Sequence, residues 1–597
     1  MAGKRGRTPA PPGHAETPFR RYRAWALRAA PRLRVPGLIL VAVATGLPAL
    51  HGTPIWDDSY VFTYPLLHGD GALGRIWLTT QPLDFWPLTL TSFWGEWQLF
   101  GTWYAGYHAV NLALHALNAV LLWRLLLALE VPGAYLAGVL FAVHPVNVEA
   151  VAWMFQLKTL QATALCLGSW LAFHRRRLAL AWLLFAGALL SKTSVVMLPV
   201  VLLAYAWTRR ASARLLVPYF ALAAGLGSVA LWFQRHRVIG GDVVRDDSLP
   251  ARLATAGRAV WFYVQKALVP WPLSFVYPRW SLDATAVVAF LPLGALVVAG
   301  GALVLIRRPW ARAVAAGMAV FVVTLVPVLG FVNVYFMRYS LVADHWQYQS
   351  IGAVMALVAA GLVRLGRPGR AAAVVLATVL GLLAWQRSQV FASAEAVWTD
   401  TIAKNPAAWL AYDNLAVLRA AEGRFVETIA LEREAVRLEP RSPEAHCNLG
   451  LALMERGDIA EAANQLETAV RLRPDRPHSV SSLALVYNRQ GRANEAVEAA
   501  RAAVRMAPGE LNYRLNLGLI LADAGRYAEA RSTLEDCQRL NPDDPTIAKS
   551  LGRVLVLLGA RDEALRQFSR AVAAAPGDAE ARTLYDAARQ DWATRHR

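Results

Sequence analysis

The stretch PRSPEAHCNLGLALMERGDIAEAANQLETAVRLR, residues 440–473, decides the fold of the C-terminal third of the chain. It begins with a proline, carries a small residue at Gly450, and places Gly457 between two segments with helical periodicity. Glycine permits a tight turn, a small residue lets two helices approach closely, and proline ends the pair. The stretch therefore predicts two helices joined by a short turn.

This pattern recurs every 34 residues in both directions along the chain. The prolines are Pro406, Pro440, Pro474, Pro508, Pro542 and Pro576, and the turn glycines are Gly423, Gly457, Gly491, Gly525 and Gly559. A 34-residue period with these features is that of the tetratricopeptide repeat. The sequence therefore predicts an α-solenoid domain over 389–597, with five repeats over about 407–576, a leading helix near 391–404 and a capping helix near 578–594.

Residues 35–388 consist mainly of apolar runs that are long enough, or almost long enough, to cross a bilayer. They predict an all-α, multi-spanning membrane domain with about eleven crossings, a number uncertain by two. A further segment, 255–280, is interrupted by prolines and is predicted to be a partly buried or interfacial helix and loop. The eleven predicted crossings are 35–50, 104–129, 134–153, 158–173, 178–191, 194–208, 214–233, 284–306, 312–332, 350–363 and 371–386.

The net charge of +19 is unevenly distributed along the chain. Residues 1–394 carry 34 Lys and Arg against thirteen Asp and Glu, and the basic residues cluster in alternate connections between the apolar runs. This pattern is typical of a membrane protein obeying the positive-inside rule rather than of a nucleic-acid-binding protein. It predicts a basic cytoplasmic tail over 1–34 and an extracytoplasmic repeat domain, in the periplasm or cell exterior, or in the ER lumen of a eukaryote.

The acidic residues of the membrane domain are also one-sided. Eleven of the thirteen fall on or near the predicted outer face, although carboxylates contribute little to orientation. The first outer loop carries the adjacent pair Asp57 and Asp58. Such a pair can act as a general base and a positioning group for a hydroxyl nucleophile, or it can be a pair of solvated loop acids.

Further polar residues lie inside or beside the apolar segments. His108, Asn111, His115 and Asn118 share one face of a predicted helix, which is either an interhelical hydrogen-bonding seam or part of a site. Ionisable groups at membrane depth are costly and therefore indicate function. The basic ones are suited to hold a lipid phosphate, or they extend to the interface as ordinary basic side chains. These further candidates are His144, Glu149, Lys158, Lys192, Arg338, Asp344 and His345.

Several motifs together resemble one family. They are Asp57-Asp58 after the first span, the stretch from Gly106-Tyr107-His108 to Asn118, the stretch from Phe141-Ala142-Val143-His144-Pro145 to Trp153, Ser191-Lys192 and Ala343-Asp344. With the order of domains, they resemble the transmembrane-and-tetratricopeptide-repeat O-mannosyltransferases, which are glycosyltransferases of the GT-C class. The resemblance extends from about Trp56 to the end of the chain.

The resemblance implies that Asp57 and Asp58 are the catalytic pair of an inverting enzyme, which transfers a mannose-like sugar from a polyprenyl phosphate to Ser/Thr hydroxyls. Lys158, Lys192, Arg338, Asp344 and His345 would bind the donor, and His108, His144 and Glu149 would support the site. No metal or cofactor is required by this scheme. Four family motifs are altered, since this chain has Trp86, Leu157, Thr193 and His345 at positions of charged family residues. These changes leave open the alternative of a catalytically silent, membrane-anchored repeat scaffold for an envelope or secretion complex.

One position of each repeat suggests an acceptor-binding surface. The five equivalent residues are Asn414, Asn448, Ser482, Asn516 and Ser550. In a stacked array they fall on successive first helices, and an amide there can bond both groups of an extended peptide backbone. The residues are predicted to bind the acceptor polypeptide, or they are ordinary consensus residues of the repeat.

Overall fold

The computed structural model describes residues 31–595, and within that range every regular element is helical. The chain divides into two compact units, Met1–Asn405 and Pro406–Arg597. The all-α class is therefore confirmed. The first unit contains α1 Pro31–Gly46, α2 Ser59–Thr63, α3 Ala72–Leu78, α4 Pro87–Phe100, α5 Tyr104–Ala128, α6 Ala134–Ala142, α7 Val148–Ala152, α8 Leu157–His174, α9 Leu178–Ser191, α10 Leu198–Thr208, α11 Val217–Phe233, α12 Leu249–Leu268, α13 Leu291–Leu305, α14 Pro309–Leu325, α15 Ile351–Arg364, α16 Arg367–Val390 and α17 Ala394–Lys404.

Among residues 31–405 of the first unit, which the structure describes, six helices are long and apolar enough to cross a membrane, or seven if one bent pair counts as a single span. In the same described range there are three shorter apolar helices, and each predicted crossing overlaps helical residues. The segment 255–280 is a helix as far as Leu268 and irregular beyond it, as expected. Helix length does not reveal sidedness, so the eleven crossings and their orientation stay predictions. The six long helices are Leu33–His51, Tyr104–Ala128, Ala213–Ile239, Val287–Leu305, Pro309–Val328 and Arg367–Val390.

The predicted span 134–153 is not a continuous helix. Helix α6 and the segment Pro145–Ala152 meet at an angle of 53°. Pro145 has no N–H to continue the helical ladder, and the His144 ring accepts a hydrogen bond from Val146 N at the break. After the bend, the Met154–Gln156 turn that follows α7 contacts the first loop, where Phe155 N donates a hydrogen bond to Asp58.

The second unit consists of five helix pairs and a final helix, as the 34-residue period predicts. At Gly457 φ is +96°, the left-handed conformation that ends the first helix of its pair. A Cβ at Gly450 would lie 2.6 Å from Cγ of Leu466 on the facing helix, so the small residue is required for the close approach. The helices are α18 Trp409–Ala421, α19 Phe425–Leu438, α20 Pro443–Arg456, α21 Ile459–Leu472, α22 Pro477–Arg489, α23 Ala493–Met506, α24 Leu511–Asp523, α25 Tyr527–Leu540, α26 Pro545–Leu557, α27 Arg561–Ala574 and α28 Ala579–Arg595.

The boundary between the units differs from the predicted one at 388/389. The leading helix α17 lies within the first unit, which ends at Asn405. Trp398 of α17 is buried, with its ring centroid 5.4 Å from that of Phe275 and 6.4 Å from that of Trp56. Burial of this large side chain among aromatic rings attaches α17 to the compact first unit.

Replacing Gly450 by Val is expected to destabilise the repeat unit by about 1–3 kcal/mol, because the added atoms overlap Leu466 and the nearby Ala462 carbonyl. Limited proteolysis of the purified chain during a thermal ramp would measure the effect. Gly509→Val is the matched control, since nothing lies within 4 Å of its Cβ position. Equal losses for the two variants would contradict the close-packing account.

Candidate active site

The two adjacent aspartates of the first loop have different environments. They lie in a single helical turn, Trp56–Asp58, that precedes α2. Asp58 is completely buried, and its two carboxylate oxygens accept hydrogen bonds from Ile55 N (2.9 Å) and Phe155 N (2.7 Å). Asp58 thereby ties the first loop to the turn before α8. Asp57 is half-buried and faces the positive charge of Lys158.

Lys158, in the first turn of α8, is buried and lies between two aromatic rings. Its ammonium is 4.0 Å from the ring centroid of Trp86 and 4.1 Å from that of Phe155. Cation–π attraction of this kind compensates part of the cost of desolvating the charge. The same ammonium is within electrostatic reach of Asp57 and Asp84. In the altered motif Phe85-Trp86-Pro87-Leu88, the Trp86 ring therefore packs against Lys158 at a position where the family that the chain resembles has a charged residue.

Lys192 extends from the end of α9 toward the same cluster. Its Nζ donates a hydrogen bond to Thr159 Oγ1 (2.7 Å), and Thr159 donates to Gln156 Oε1 (2.5 Å). Lys192 also lies within electrostatic reach of Asp84 and Glu149. Because Thr159 is neutral, its hydrogen bond leaves the charge of Lys192 available to an anion. Two lysines from two helices thus lie within electrostatic reach of Asp84, and Lys158 is also within reach of Asp57.

Burial changes the acid strength of Asp57. Removal from water raises the pKa of Asp57 to about 6, and the nearby Lys158 opposes part of this rise. A carboxylate with a pKa near 6 is largely ionised at neutral pH and is a stronger base than a solvated aspartate. Asp57 is therefore partly accessible to a substrate, has a pKa suited to a general base and lies near the cation of Lys158.

Glu149, Asp344 and His345 form a second polar cluster. Glu149 Oε1 and His345 Nδ1 are 2.5 Å apart, and both side chains are buried. Asp344 accepts a hydrogen bond from the Tyr277 hydroxyl (2.8 Å) and lies within electrostatic reach of Arg387. Three residues predicted for site support or donor binding are thus engaged with protein groups. The cluster adjoins the first one, because Lys192 reaches both Glu149 and Asp84.

Arg338 lies in the short helical turn Tyr335–Arg338 and is half-buried. Its Nη1 donates a hydrogen bond to the Tyr335 hydroxyl (3.3 Å). The adjoining Tyr339 and Phe336 rings pack around Trp56, with centroids 5.5 and 6.0 Å away. The segment of Arg338 therefore borders the loop of the aspartate pair.

The polar face of α5 is a hydrogen-bonding seam for the site. Its four residues bond backbone carbonyls of the elements that carry the site, and His144 does the same across the bend. His108 lies 3.2 Å from Gly52 O, Asn111 donates to the carbonyls of Val151, Trp153 and Met154, His115 lies 3.1 Å from Ala142 O, Asn118 donates to Leu160 O, and His144 lies 3.1 Å from Ala267 O. These contacts favour the seam over direct participation in chemistry and give His108 and His144 a supporting position.

The five equivalent residues of the repeats bond mainly within the array. Asn448 donates to Asp413 Oδ1 (3.0 Å) and Asn516 to Ser481 Oγ (3.1 Å), which joins neighbouring repeats. Asn414, Ser482 and Ser550 donate to backbone carbonyls four residues earlier. Both serines are buried. The contacts favour the interpretation of these positions as structural residues of the repeat.

The structure adds residues that the sequence reasoning did not assign to the site. Asp84 is 8% exposed and lies within electrostatic reach of Lys158 and Lys192, of which Lys158 also acts on Asp57. Tyr277 donates a hydrogen bond to Asp344, and Arg387 lies within electrostatic reach of it. The one-sided distribution of acids was a signal for Asp84, whereas Tyr277 and Arg387 had none. Among the described residues, no group of three His, Cys, Asp or Glu side chains is placed to hold a metal ion.

Comparison with known proteins agrees with the helical architecture of the second unit. Residues 378–443 and 447–510 match one family model described as tetratricopeptide repeat, and residues 487–551 and 521–588 match a second with the same description. The fold and these matches define a class of protein. Its members have a helical unit with membrane-type helices, followed by a tetratricopeptide array.

A curated relative gives a more specific likeness. A protein O-mannosyl-transferase of Caenorhabditis elegans is 31% identical over 135 residues, which cover 19% of this chain and 19% of that protein. The match thus spans about a fifth of the relative's length. The chain resembles the transmembrane-and-tetratricopeptide-repeat O-mannosyltransferases, as the motifs predicted.

Part of the chain is also similar to solved structures. A thermophilic tetratricopeptide-repeat protein of Thermus thermophilus is 27% identical, with a TM-score of 0.28. The match covers 30% of this chain and 98% of the Thermus protein. Pseudomonas aeruginosa pilF is 19% identical, with a TM-score of 0.29, and covers 32% of this chain and 87% of its own.

Proposed function

We propose that the chain is an integral-membrane glycosyltransferase of the O-mannosyltransferase kind. It transfers a mannose-like sugar from a polyprenyl-phosphate donor to Ser/Thr hydroxyls of extracytoplasmic proteins. The observation that carries the proposal is the half-buried Asp57 beside Lys158, in a loop anchored by the buried Asp58. The resemblance to an O-mannosyl-transferase supports the same reaction class.

The proposed reaction is a single displacement with inversion. Asp57 accepts the proton of the acceptor hydroxyl while the hydroxyl oxygen forms a bond to the anomeric carbon of the sugar. The bond between that carbon and the phosphate oxygen breaks, and polyprenyl phosphate leaves with the electron pair. Asp57 then returns its proton to solvent, which balances the step without a redox partner or a metal.

The lysines are proposed to stabilise the leaving phosphate. Lys158 and Lys192 converge from α8 and α9, and charge-assisted hydrogen bonds to a phosphate are strong where water is excluded. Arg338 is proposed as a third cation from its segment beside Trp56. The Glu149–His345 pair and the Tyr277–Asp344 hydrogen bond are proposed to position this region.

The repeat unit is proposed to bind the acceptor polypeptide outside the cytoplasm. Two of its five equivalent residues join adjacent repeats through their amides, so a peptide would bind through other groups of the same helices as well. A C-terminal reporter that is active only outside the cytoplasm is expected to be active, and one that requires the cytoplasm is expected to be silent. The reverse pattern would overturn acceptor binding by the repeats.

The direct test is transfer of a labelled sugar from a polyprenyl phosphate to protein in membranes that contain the chain. Transfer above the level of membranes without the chain supports the enzyme. The four altered family motifs leave open the scaffold alternative, which predicts no transfer together with recovery of a stable complex on the repeat unit.

A further inference from the structure

A cavity of about 520 Å³ lies beside the first loop, next to the proposed active site. It is formed by the end of α3, the connection to α4, and the last residue of α11. A volume of this size is typical of small-molecule sites. Its lining residues are Ile76, Trp77, Leu78, Thr79, Thr80, Pro82, Asp84, Phe85, Pro87, Leu90 and Phe233.

Asp84 is the charged residue of this lining, and its side chain is buried, with 8% of the residue exposed. Its Oδ1 accepts a hydrogen bond from Phe85 N (2.7 Å). In the amide orientation that satisfies both ends of Gln234, that side chain donates to Asp84 Oδ2 (3.2 Å) and accepts from Tyr335 N. A carboxylate offers about four acceptor positions, so these contacts leave capacity for a ligand.

The lysines of the proposed active site lie near Asp84. Lys158 and Lys192 are both within electrostatic reach of its carboxylate. Neither lysine lines the cavity, whose lining residues include no Lys or Arg. The region therefore has two adjacent parts, a cationic one at the lysines and an acidic, aromatic one in the cavity.

We propose that this cavity binds the sugar ring of the lipid-linked donor, with the Asp84 carboxylate accepting hydrogen bonds from ring hydroxyls. The aromatic rings of Trp77, Phe85 and Phe233 supply apolar surface for the C–H faces of the ring. The inference rests on the proposed function, because it assigns the two parts of one donor to two neighbouring sets of residues.

The chemistry of the cavity favours the sugar ring of the donor over its phosphate and its polyprenyl chain. A phosphate there would meet the negative charge of Asp84 with no basic residue in the lining. A polyprenyl chain would bury the carboxylate against hydrocarbon without a new hydrogen bond, which is costly. A hydroxylated ring satisfies both the carboxylate and the aromatic surface.

The geometry around Gln234 points the same way. Gln234 begins a π-helical segment, Gln234–Ile239, that follows α11. Such segments are rare and often occur at functional sites. Here the irregular turn brings Gln234 to Asp84, and Arg237 Nη2 donates to Gln81 O (3.2 Å) on the same rim. The rim is thus fixed from two elements, as a selective sugar site requires.

The test compares two lipids on the purified full-length protein in one detergent: polyprenyl-phosphate mannose and sugar-free polyprenyl phosphate. The wild type is expected to bind the sugar-bearing lipid more tightly. Asp84→Asn is expected to weaken binding of that lipid by about 10–100-fold, because a hydrogen bond to a charged group is lost, and not to weaken binding of the sugar-free lipid. Asp70→Asn, an exposed acid of the same loop, is the matched control and is expected to change neither affinity.

A second variant, Thr80→Trp, places a large side chain in the cavity from an exposed position on its rim. It is expected to weaken binding of the sugar-bearing lipid but not of the sugar-free lipid. Thr80→Trp could instead weaken the binding of both lipids equally, while Asp84→Asn has no effect on binding. This result would place the polyprenyl chain in the cavity and overturn the inference. Equal weakening of both by Asp84→Asn would also overturn it. Wild-type binding of both lipids with equal affinity would overturn the sugar site alone, whereas binding of neither lipid would overturn the proposed function as well.

Discussion

Asp57→Asn is expected to lower the rate of sugar transfer to protein by about 10²–10⁴-fold, which is the usual contribution of a general base. Asparagine keeps the size of the side chain but cannot accept the acceptor proton. Since Asp57 is half-buried and faces Lys158, the change should leave the fold intact. Transfer of labelled sugar from polyprenyl phosphate, at saturating donor, measures the loss.

The pH dependence provides an independent readout of the same residue. Burial raises the pKa of Asp57 to about 6, so the ionised base is lost as the pH falls through 6 and the wild-type rate should fall with it. Lys158→Met removes the charge that opposes this rise, so the acidic limb should move to higher pH. An unchanged limb in Lys158→Met, or wild-type transfer by Asp57→Asn, would contradict the assignment of Asp57 as the base.

Asp58→Ala is expected to destabilise the first unit by about 2–5 kcal/mol and to abolish transfer as a consequence. The change leaves the N–H groups of Ile55 and Phe155 without their carboxylate acceptor and disconnects the first loop from the turn before α8. The midpoint of thermal unfolding in detergent measures the effect.

The neighbouring aspartate supplies the control for this prediction. Asp57→Ala removes a half-buried carboxylate of the same loop and should cost less than about 1 kcal/mol. If the two alanine variants unfolded at the same temperature, the division into a base and an anchoring residue would be wrong. A stable Asp58→Ala with normal transfer would contradict the anchoring role directly.

The sequence predicted the repeat unit well, since the information is local. Each repeat carries its own turn glycine and its own small residue, so Gly450 and Gly457 can be interpreted from one 34-residue stretch. The compact first unit extends to Asn405 and so includes α17, whose Trp398 packs on Phe275. These residues are far apart in sequence, and no periodic pattern encodes their contact.

The candidate site was predicted in part. The motifs predicted that Asp57, Asp58, Lys158 and Lys192 belong to one site. Because the two aspartates are adjacent in sequence, their roles could not be distinguished. Their difference depends on Phe155 N, which reaches Asp58 across nearly a hundred residues. The cavity beside Asp84 likewise needs Phe233 from α11, and sequence alone does not bring these elements together.

The sequence by itself determined the helical class, the membrane-type segments and the five-repeat array. Hydrophobic runs and a short repeat period reflect contacts within one helix or between neighbouring helices, which local physics dictates. Only the tertiary structure decided which aspartate anchors the loop and which one faces Lys158, and where the cavity beside Asp84 lies. The physical reason is that hydrogen bonding and desolvation of a side chain depend on which distant backbone and side-chain groups surround it.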